Sequence, residues 1–440
     1  MLQNGELRAW VVSADMGLGH QRAANPLKCI AEEGILTAGS ATVSSPKEKK
    51  LWDKTRHAYE FLSRIRSVPI IGKPLFGLLD ELQKIAPFYP SRDLSRPTYQ
   101  VDLMHSLIRK GIGAELIAKM RTKPLPMVTS FMLPAVAADD AGYEPVYCII
   151  CDAEISRAWV AKDPKASRIR YFVPCGRAMR RLKSYGVPDE RIFLTGFPLP
   201  LEVLGNRDLD ILRADMAQRL LYLDPNNRFG PLHGLNVAHL LGKENGSPKQ
   251  ERVLTLTYAI GGAGAQREAG RQIAESLRSK IAAGQIILNL VAGVREDVRD
   301  YFEAVKRDLL PDADGLRILY APEKNEYFRL FAQAIRTTDI LWTKPSELSF
   351  YCGLGIPIIM SPPIGSQERF NAKWLMEIQA GIPQEDPRHT GEWLLDLLDE
   401  GRLAEAAWSG FLKARKYGTY KILDILQTGT MPHDPSPLKR

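Results

Sequence analysis

The sequence lacks long apolar runs, and this absence limits where the protein can reside. No stretch of its 440 residues approaches the ~18 consecutive apolar residues that a helix needs to span a bilayer. The first residues, MLQNGELRAWVVSADMG, also lack the basic segment and long apolar stretch of a secretory signal peptide. These two absences predict a cytoplasmic protein without a membrane-spanning segment.

Cysteine is scarce as well. Five cysteines are scattered through the chain, a number and spacing that do not suggest a disulfide framework. Cys148 and Cys151 form a C-x-x-C, but they lie in VYCIICD, which is typical of a buried strand. Residues three apart on a strand point to opposite faces, so the two thiols cannot converge on one metal ion. The sequence therefore predicts core cysteines and no metal site.

Excess positive charge is absent from the second half of the chain. Residues 1–203 contain 29 Lys and Arg against 21 Asp and Glu, whereas residues 204–440 contain 30 of each. The excess in the first half includes clusters at Lys47–Lys50 and Arg177–Lys183. Such a face is either a solvated surface or a site for anionic lipid, nucleic acid or a phosphorylated substrate. No nucleic-acid motif accompanies it, so a nucleic-acid partner is not predicted.

Short apolar runs rich in β-branched residues alternate with amphipathic segments along the whole chain. Ten of them are typical of buried parallel strands, at residues 9–14, 126–131, 146–151, 170–175 and 191–196, then 253–260, 286–293, 317–322, 340–343 and 357–362. Helical patterns lie between them, for example at 265–283 and 323–336. This alternation predicts an α/β fold of doubly wound parallel sheets. The length predicts two domains, because one core rarely grows beyond ~250–300 residues.

The predicted domain boundary is the segment 204–250, where Pro, Gly and Asn are frequent and no hydrophobic period is clear. We therefore predict a first domain at 1–203, a linker or insertion at 204–250 and a second domain at 251–400. Apolar positions after residue 400 predict helices in 401–440 that cross back to the first domain. The tail from Thr428 has the composition of a disordered segment.

Two glycine-rich turns each follow a predicted strand. The first is SADMGLGHQRAA at 13–24, which contains Gly17 and Gly19, and the second is YAIGGAGAQREAG at 258–270. Glycine permits positive φ and lets backbone N–H groups approach an anion at the start of the next helix. One such turn is a weak signal, because glycine there also serves close packing. Two turns predict two Rossmann-like halves with a ligand cleft between them.

Three side chains near the predicted strand ends are candidate acid–base groups. His20 follows the first glycine turn, and an imidazole that titrates near neutral pH suits a general base. Phosphate binding and helix capping are its alternative roles. Asp15 and Asp152 are second-choice bases, since ligands bind at the carboxyl ends of strands in open α/β sheets.

Together the motifs resemble a known group of glycosyltransferases, family 28. SADMGLGHQRAA is similar to the opening segment of the monogalactosyldiacylglycerol synthases and of the bacterial lipid-linked peptidoglycan precursor glucosaminyltransferases. YAIGGAGAQ resembles their second-domain G-G-S-x-G-A loop, and residues 343–381 resemble their T-K-x-G-G…G-Q-E-x-N-A region. Residues 151–159 and 191–200 match two segments in between. Five matches in family order imply the GT-B architecture, in which two Rossmann-like domains face each other across a cleft.

The resemblance also implies a nucleotide-sugar donor, usually a UDP-sugar, on the second domain. The implied donor-site residues are Gly17 and Gly19 in the first turn, Gly261, Gly262, Gly264 and Ala265 in the second, then Lys344, Ser346, Glu347, Gln367, Glu368 and Asn371. The second-turn backbone would meet the diphosphate. Gln367 and Glu368 would bond the donor sugar, and Asn371 would support their loop. The donor is a co-substrate, and no cofactor is implied.

The chain departs from the family pattern at this donor site. The family's Gly-Gly is replaced by Ser346-Glu347, and its ribose-binding glutamate by Phe350, whose ring cannot accept a hydrogen bond. Glu347 lies three residues earlier on the same helical face and is the predicted substitute. Its alternative role is to stabilise a helix N-terminus. From the sequence, Phe350→Glu is expected to strengthen UDP-sugar binding.

The predicted function is transfer of a sugar from a nucleotide sugar to an acceptor hydroxyl, with inversion if the chain follows its relatives. Those relatives and the basic first half imply a lipid-linked acceptor and an anionic surface on the inner face of a membrane. Residues 52–125 mix apolar side chains with Pro and Gly, and they are either helical core or an apolar lip for such an acceptor. Two alternatives remain: a nucleotide-sugar epimerase, and a binding protein without catalysis.

Overall fold

A computed structural model of the chain describes residues 7–54, 85–242, 252–261, 266–433 and 436–439. The chain forms two compact units. Unit 1 contains Met1–Leu199, Ile364–Asn371 and Arg415–Arg440, and unit 2 contains Pro200–Pro363 and Ala372–Ala414. Among the described helices, none is both long and apolar enough to cross a membrane.

Unit 1 is built on a six-stranded sheet in which every pairing is parallel. Its strands are β1 Trp10–Ala14, β2 Leu36–Ala38, β3 Met127–Thr129, β4 Val146–Ile149, β5 Arg170–Phe172 and β6 Ile192–Phe193. They lie in the order β2-β1-β3-β4-β5-β6. Nearly all of their residues are buried, as expected of a parallel sheet with helices on both faces. The first five strands follow the flavodoxin-like order of doubly wound folds.

Unit 2 contains a second six-stranded sheet, again entirely parallel. Its strands are β7 Leu254–Ala259, β8 Ile286–Gly293, β9 Leu316–Tyr320, β10 Ile340–Thr343, β11 Ile358–Met360 and β12 Gly381–Pro383. They lie in the order β12-β11-β10-β7-β8-β9. Read from β9, this is the strand order of the dinucleotide-binding Rossmann fold. The prediction of two Rossmann-like parallel-sheet domains is confirmed.

Helices connect the strands of both units. In chain order the described α-helices are α1 Leu18–Ala24, α2 Tyr99–Arg109, α3 Ala114–Arg121, α4 Met132–Asp140, α5 Gly176–Ser184, α6 Leu201–Leu204, α7 Asp210–Leu223, α8 Gly230–Leu241, α9 Arg267–Ser276, α10 Arg278–Ala282, α11 Glu296–Leu309, α12 Lys324–Thr337, α13 Ser366–Glu377, α14 Thr390–Asp399, α15 Arg402–Lys413 and α16 Gly418–Thr428. Short 3₁₀ helices include Asn25–Ile30, Arg157–Trp159 and Glu347–Leu354. Helix α16 belongs to unit 1, and α14 and α15 belong to unit 2.

In each sheet the order in which strands are added changes direction once. At that place the carboxyl ends of two strands lie side by side. In unit 1 the chain passes from β1 to β2 on one side and then returns to place β3 on the other side of β1. In unit 2, β10 likewise returns to the far side of β7. The loops after the two adjacent strands diverge, which opens a crevice where ligands bind in open α/β sheets. We call these places the unit 1 switch point and the unit 2 switch point.

All ten predicted strands are present, whereas β2 and β12 were missed. These two strands are three residues long, LTA and GIP, and each lies at a sheet edge. An edge strand has one pairing partner, so it needs less β-forming sequence. Gly and Pro are tolerated at such positions.

The prediction of loop structure over 204–250 was wrong for most of the segment. Residues 210–223 and 230–241 are helical and belong to unit 2. Arg219 anchors α7, because its buried guanidinium donates to the carbonyl oxygens of Thr338 at 2.7 Å and Leu354 at 2.8 Å. The sequence does contain the signal in an apolar stripe at helical spacing, Leu212, Met216, Leu220 and Leu223.

The prediction of core cysteines is confirmed for the C-x-x-C pair. Cys148 and Cys151 are both buried, and neither forms a disulfide. Burial raises the pKa of Cys148 far above its ordinary value, so this thiol remains protonated.

Candidate functional site

The unit 1 switch point gathers the first glycine turn and the candidate bases. Gly17 has φ +103° and ψ 166°, a conformation that favours glycine, and α1 begins at the next residue. Gly19 and His20 lie in the first turn of this helix. Asp15 follows the end of β1 and is exposed, and it accepts a hydrogen bond from the Gln21 amide at 3.0 Å.

The orientation of His20 is fixed by a backbone carbonyl across the switch point. Its Nδ1 lies 2.7 Å from the carbonyl oxygen of Ser130, the residue after β3. A carbonyl oxygen can only accept, so Nδ1 carries a hydrogen, and in the neutral ring Nε2 is the basic nitrogen. The ring packs against Phe131 at 5.0 Å and Trp159 at 6.0 Å between centroids. This geometry suits a general base, because the hydrogen bond at Nδ1 fixes the ring and Nε2 is the nitrogen that would take a proton.

Asp152, at the end of the neighbouring strand β4, is held by Asn371. The Asn371 amide donates to Asp152 Oδ1 at 2.8 Å, and its oxygen accepts from the backbone N–H of Ala153 at 2.8 Å. Asn371 is completely buried, and its bond to Ala153 is buried as well. The sequence predicted that Asn371 supports the donor-sugar loop. That role stays a prediction. The two bonds place Asn371 beside Asp152, a candidate base of unit 1, where its buried amide satisfies both a donor and an acceptor.

At the unit 2 switch point, Lys344 lies over Gly261. These residues follow β10 and β7, which are paired so that Thr343 lies opposite Ala259. A Cβ atom at position 261 would lie 2.5 Å from Lys344 Cε and 3.2 Å from its Nζ, so only glycine permits this approach. The structure thus brings the second glycine turn and the ammonium group together, as an anion site requires. Gly262, Gly264 and Ala265 lie outside the described residues.

Tyr258 joins the two ends of the second glycine turn. Its hydroxyl donates to the carbonyl oxygen of Gln266 at 2.8 Å. Burial raises the pKa of Tyr258 above its ordinary value, so the hydroxyl keeps the proton that it donates. Sequence reasoning missed this residue, because a tyrosine inside a strand gives no signal of a contact eight residues away.

Glu347 begins the 3₁₀ helix that follows Lys344. Residues three apart eclipse each other in a 3₁₀ helix, so Glu347 and Phe350 project from the same side. Glu347 is half-buried, while Phe350 is 2% exposed and packs on Trp374 at 4.9 Å between ring centroids. Ser346 precedes the helix, and its N–H donates to the Lys344 carbonyl at 2.8 Å. The expectation that Phe350→Glu strengthens binding stays a prediction, and the burial argues against it, because a carboxylate there would lie in an apolar core.

Gln367 and Glu368 lie in the first turn of α13 and are half-buried. The Glu368 carboxylate accepts a hydrogen bond from the backbone N–H of Ile364 at 2.8 Å. This contact holds the loop that leads into the helix. Both residues fall in the stretch that groups with unit 1. Their predicted role toward a donor sugar stays a prediction.

The two sheets and the residues at their switch points define the class of fold. Two Rossmann-like units in one chain, with candidate ligand groups at the switch point of each, correspond to the GT-B glycosyltransferase fold. The chain is similar to the processive diacylglycerol beta-glucosyltransferase of Bacillus cereus (strain G9842), with 23% identity over 247 residues. The match covers 54% of this chain and 50% of the relative, so the chain spans about half the length of the curated relative it matches. The predicted resemblance to lipid glycosyltransferases of this fold is confirmed.

Further comparisons concern part of the chain or the fold alone. Residues 294–422 match a family described as a domain of unknown function, DUF6938. The UDP complex of Staphylococcus aureus MnaA covers 97% of this chain and 99% of its own, with 11% identity and a TM-score of 0.48. UGT2 of Phytolacca americana, in complex with UDP-2-fluoro-glucose and pterostilbene, covers 95% and 98%, with 12% identity and a TM-score of 0.46. The assignment of the fold rests on the two sheet orders themselves.

Proposed function

We propose that this protein is a glycosyltransferase that moves a sugar from a UDP-sugar to the hydroxyl group of a lipid acceptor. The observation that carries the proposal is the state of His20. The imidazole is half-buried, and its Nδ1 is bonded to a carbonyl at 2.7 Å, so that Nε2 is the basic nitrogen. Asp15 and Asp152 follow strands at the same edge of this sheet. A histidine that served only for packing would need neither this hydrogen bond nor carboxylates at the same sheet edge.

The donor is proposed to bind at the unit 2 switch point. A diphosphate there would accept hydrogen bonds from the backbone near Gly261 and from the Lys344 ammonium, which the glycine allows to lie close. Such groups stabilise the negative charge that develops on a departing diphosphate. Glu347 would accept hydrogen bonds from the ribose or sugar hydroxyls in place of the glutamate that the family carries.

In the proposed reaction the acceptor hydroxyl oxygen attacks the anomeric carbon of the donor sugar. His20 Nε2 takes the hydroxyl proton as the new carbon–oxygen bond forms, and the bond to the diphosphate breaks with its electron pair on the leaving oxygen. The imidazolium then releases the proton to water. A general base of this kind contributes about 10²–10⁴-fold to the rate. Attack from the face opposite the diphosphate inverts the anomeric configuration.

A lipid acceptor is supported by two observations. The curated relative is named for transfer of glucose to diacylglycerol, and the whole charge surplus of this chain lies in residues 1–203. A basic surface adds binding energy at an anionic membrane. Residues 55–84 of the apolar segment 52–125 lie outside the described residues, so the role of this segment as an acceptor lip is an expectation from the sequence.

The test is to incubate the full chain with UDP-glucose, UDP-galactose or UDP-N-acetylglucosamine, with and without diacylglycerol in mixed micelles. UDP release is followed together with mass spectrometry of the lipid product. We expect release that depends on the lipid and a product one hexose heavier. His20→Ala should slow both by about 10²–10⁴-fold, while the exposed His239→Ala should match the parent protein.

Two other outcomes would contradict the proposal and identify the alternative. Conversion of the donor sugar to its epimer without lipid indicates an epimerase. Calorimetric binding of UDP with neither release nor conversion indicates a binding protein. Absence of any binding at millimolar concentration removes the donor site as well.

A further inference from the structure

A cluster of three arginines on α5 is not used by the proposed mechanism. Arg177, Arg180 and Arg181 surround Glu154, which is completely buried. Arg181 is also completely buried, and its Nε donates to Glu154 Oε2 at 2.7 Å. Arg177 Nε lies 3.2 Å from Glu154 Oε1, an ion pair without hydrogen-bond geometry. Three guanidinium groups therefore face a single carboxylate.

The same three guanidinium groups converge on one aromatic ring. Their central carbons lie 5.3, 5.3 and 4.0 Å from the centroid of Phe88 for Arg177, Arg180 and Arg181. An aromatic face attracts one cation but does not neutralise three. Gathering like charges at this distance costs free energy unless an anion joins them.

Arg181 has unused donors in this cluster. Among the described residues, neither its Nη1 nor its Nη2 has a hydrogen-bond acceptor, although both atoms are buried. Buried donors are almost always paired, so an unpaired guanidinium edge points to a missing ligand. The Phe88 ring that lies over this guanidinium is itself only half-buried, so movement of one side chain gives access to it.

The cluster adjoins the unit 1 switch point. Glu154 lies two residues after Asp152 on the same loop. Phe370, whose ring centroid lies 5.3 Å from the Arg177 guanidinium, immediately precedes the Asn371 that holds Asp152. An anion bound by the arginines would therefore lie near the candidate base.

We propose that this arginine cluster binds a phosphoryl group of an anionic ligand beside the unit 1 switch point, near the place proposed for the acceptor hydroxyl. A phosphoryl group offers three oxygens, which match several guanidinium donors better than the two oxygens of a carboxylate. The proposal rests on the proposed function only in that it places this group near the acceptor, since diacylglycerol itself carries no phosphoryl group. Two sources share the chemistry: a lipid headgroup and a soluble phosphate ester.

Calorimetric titration of the full chain without any sugar nucleotide tests the site. The probes are inorganic phosphate, glycerol 3-phosphate and its dihexanoyl ester. We expect all three to bind the parent chain. Tighter binding of the dihexanoyl ester assigns a lipid source, and equal binding of the two esters assigns a soluble one.

Three variants identify the arginines as the binding groups. Arg180→Ala, at an exposed position, should weaken binding about 10-fold or more, and Arg180→Lys should weaken it less. The double variant Glu154→Gln with Arg181→Ala, which removes both members of the fully buried ion pair, should remove binding. Arg299→Ala is the control, since this half-buried arginine lies over the Tyr320 ring at 4.8 Å in unit 2, and it should bind as the parent does.

If the double variant does not fold, Arg180→Ala decides the result. The inference is overturned if no probe binds the parent chain at millimolar concentration, or if Arg180→Ala and Arg299→Ala bind alike. Failure of sugar transfer does not affect this titration, because no donor is present. Phosphate binding without sugar transfer would therefore leave the arginine site standing and reject the proposed function alone.

Discussion

The two switch points arise from the same kind of change in strand order, but their residues differ in chemistry. In unit 1 the ends of β1, β3 and β4 carry an imidazole and two carboxylates, which can exchange protons. In unit 2 the ends of β7 and β10 carry a glycine backbone and an ammonium group, which can hold an anion. In both units the sheet topology positions the site, whereas the loop residues determine its chemistry.

This comparison predicts that removing a proton-transfer group acts on turnover and removing an anion-holding group acts on donor binding. His20→Ala should give the largest effect, a fall in kcat of about 10²–10⁴-fold, because it removes the general base. The dissociation constant for UDP should stay within twofold of the parent value. Steady-state kinetics and calorimetry measure the two quantities. A variant that loses UDP binding along with kcat would show that the two functions are not divided between the units.

Gly261→Ala should act on the donor side. The new methyl group would displace the Lys344 side chain, since it would lie 2.5 Å from Cε. We expect UDP binding to weaken about 10–100-fold, the equivalent of one charged hydrogen bond. Lys344→Ala should give a similar loss, and the double variant no more than either, because both remove one contact. Gly234→Ala is the control, as a Cβ there meets nothing within 4 Å. Additive losses would contradict the shared contact.

Glu347→Ala should weaken binding of UDP and a UDP-sugar about 10–100-fold by the same estimate, and Glu347→Gln less, because the amide still accepts a hydrogen bond. A purine nucleotide serves as the comparison ligand. If Glu347 only stabilises the start of its helix, both substitutions will lower Tm and leave the dissociation constants unchanged.

Phe350→Glu tests the same helix through stability. It buries a carboxylate against Trp374, so we expect a lower Tm and no gain in affinity. Thermal unfolding followed by circular dichroism measures the first, and calorimetry the second. A variant as stable as the parent would place position 350 at the surface.

Asn371→Ala should have the smallest effect and separates two roles for one residue. The structure bonds Asn371 to Asp152 and to the N–H of Ala153, so the loss is expected in kcat, by about 5–30-fold for one or two hydrogen bonds. Unchanged affinity for the UDP-sugar is the second part of the expectation. Weaker donor binding with an unchanged kcat would favour the role implied by family resemblance.

Much of the fold follows from local sequence, and the site follows less completely. The strand runs, both glycine turns and the position of His20 are visible because their signals are local. The partners of His20 and Asp152 are not visible, since Ser130 and Asn371 lie 110 and 219 residues away from them in the chain. The helix at 210–223 was not predicted, because the flanking Pro, Gly and Asn dominate the composition of the segment. The sequence does contain its apolar stripe.

Unit 1 is completed by a stretch of the chain that is synthesised after all of unit 2. The stretch Arg415–Arg440 belongs to it, and Thr419 donates to the carbonyl oxygen of Leu199. Gly418 packs so closely that a Cβ there would lie 2.3 Å from the carbonyl oxygen of Phe197. During synthesis, unit 2 therefore has all of its residues before unit 1 does. A chain that stops before residue 415 would therefore contain all of unit 2 but not all of unit 1. The residues after β6 would then lack a packing partner, and we expect this surface to aggregate first.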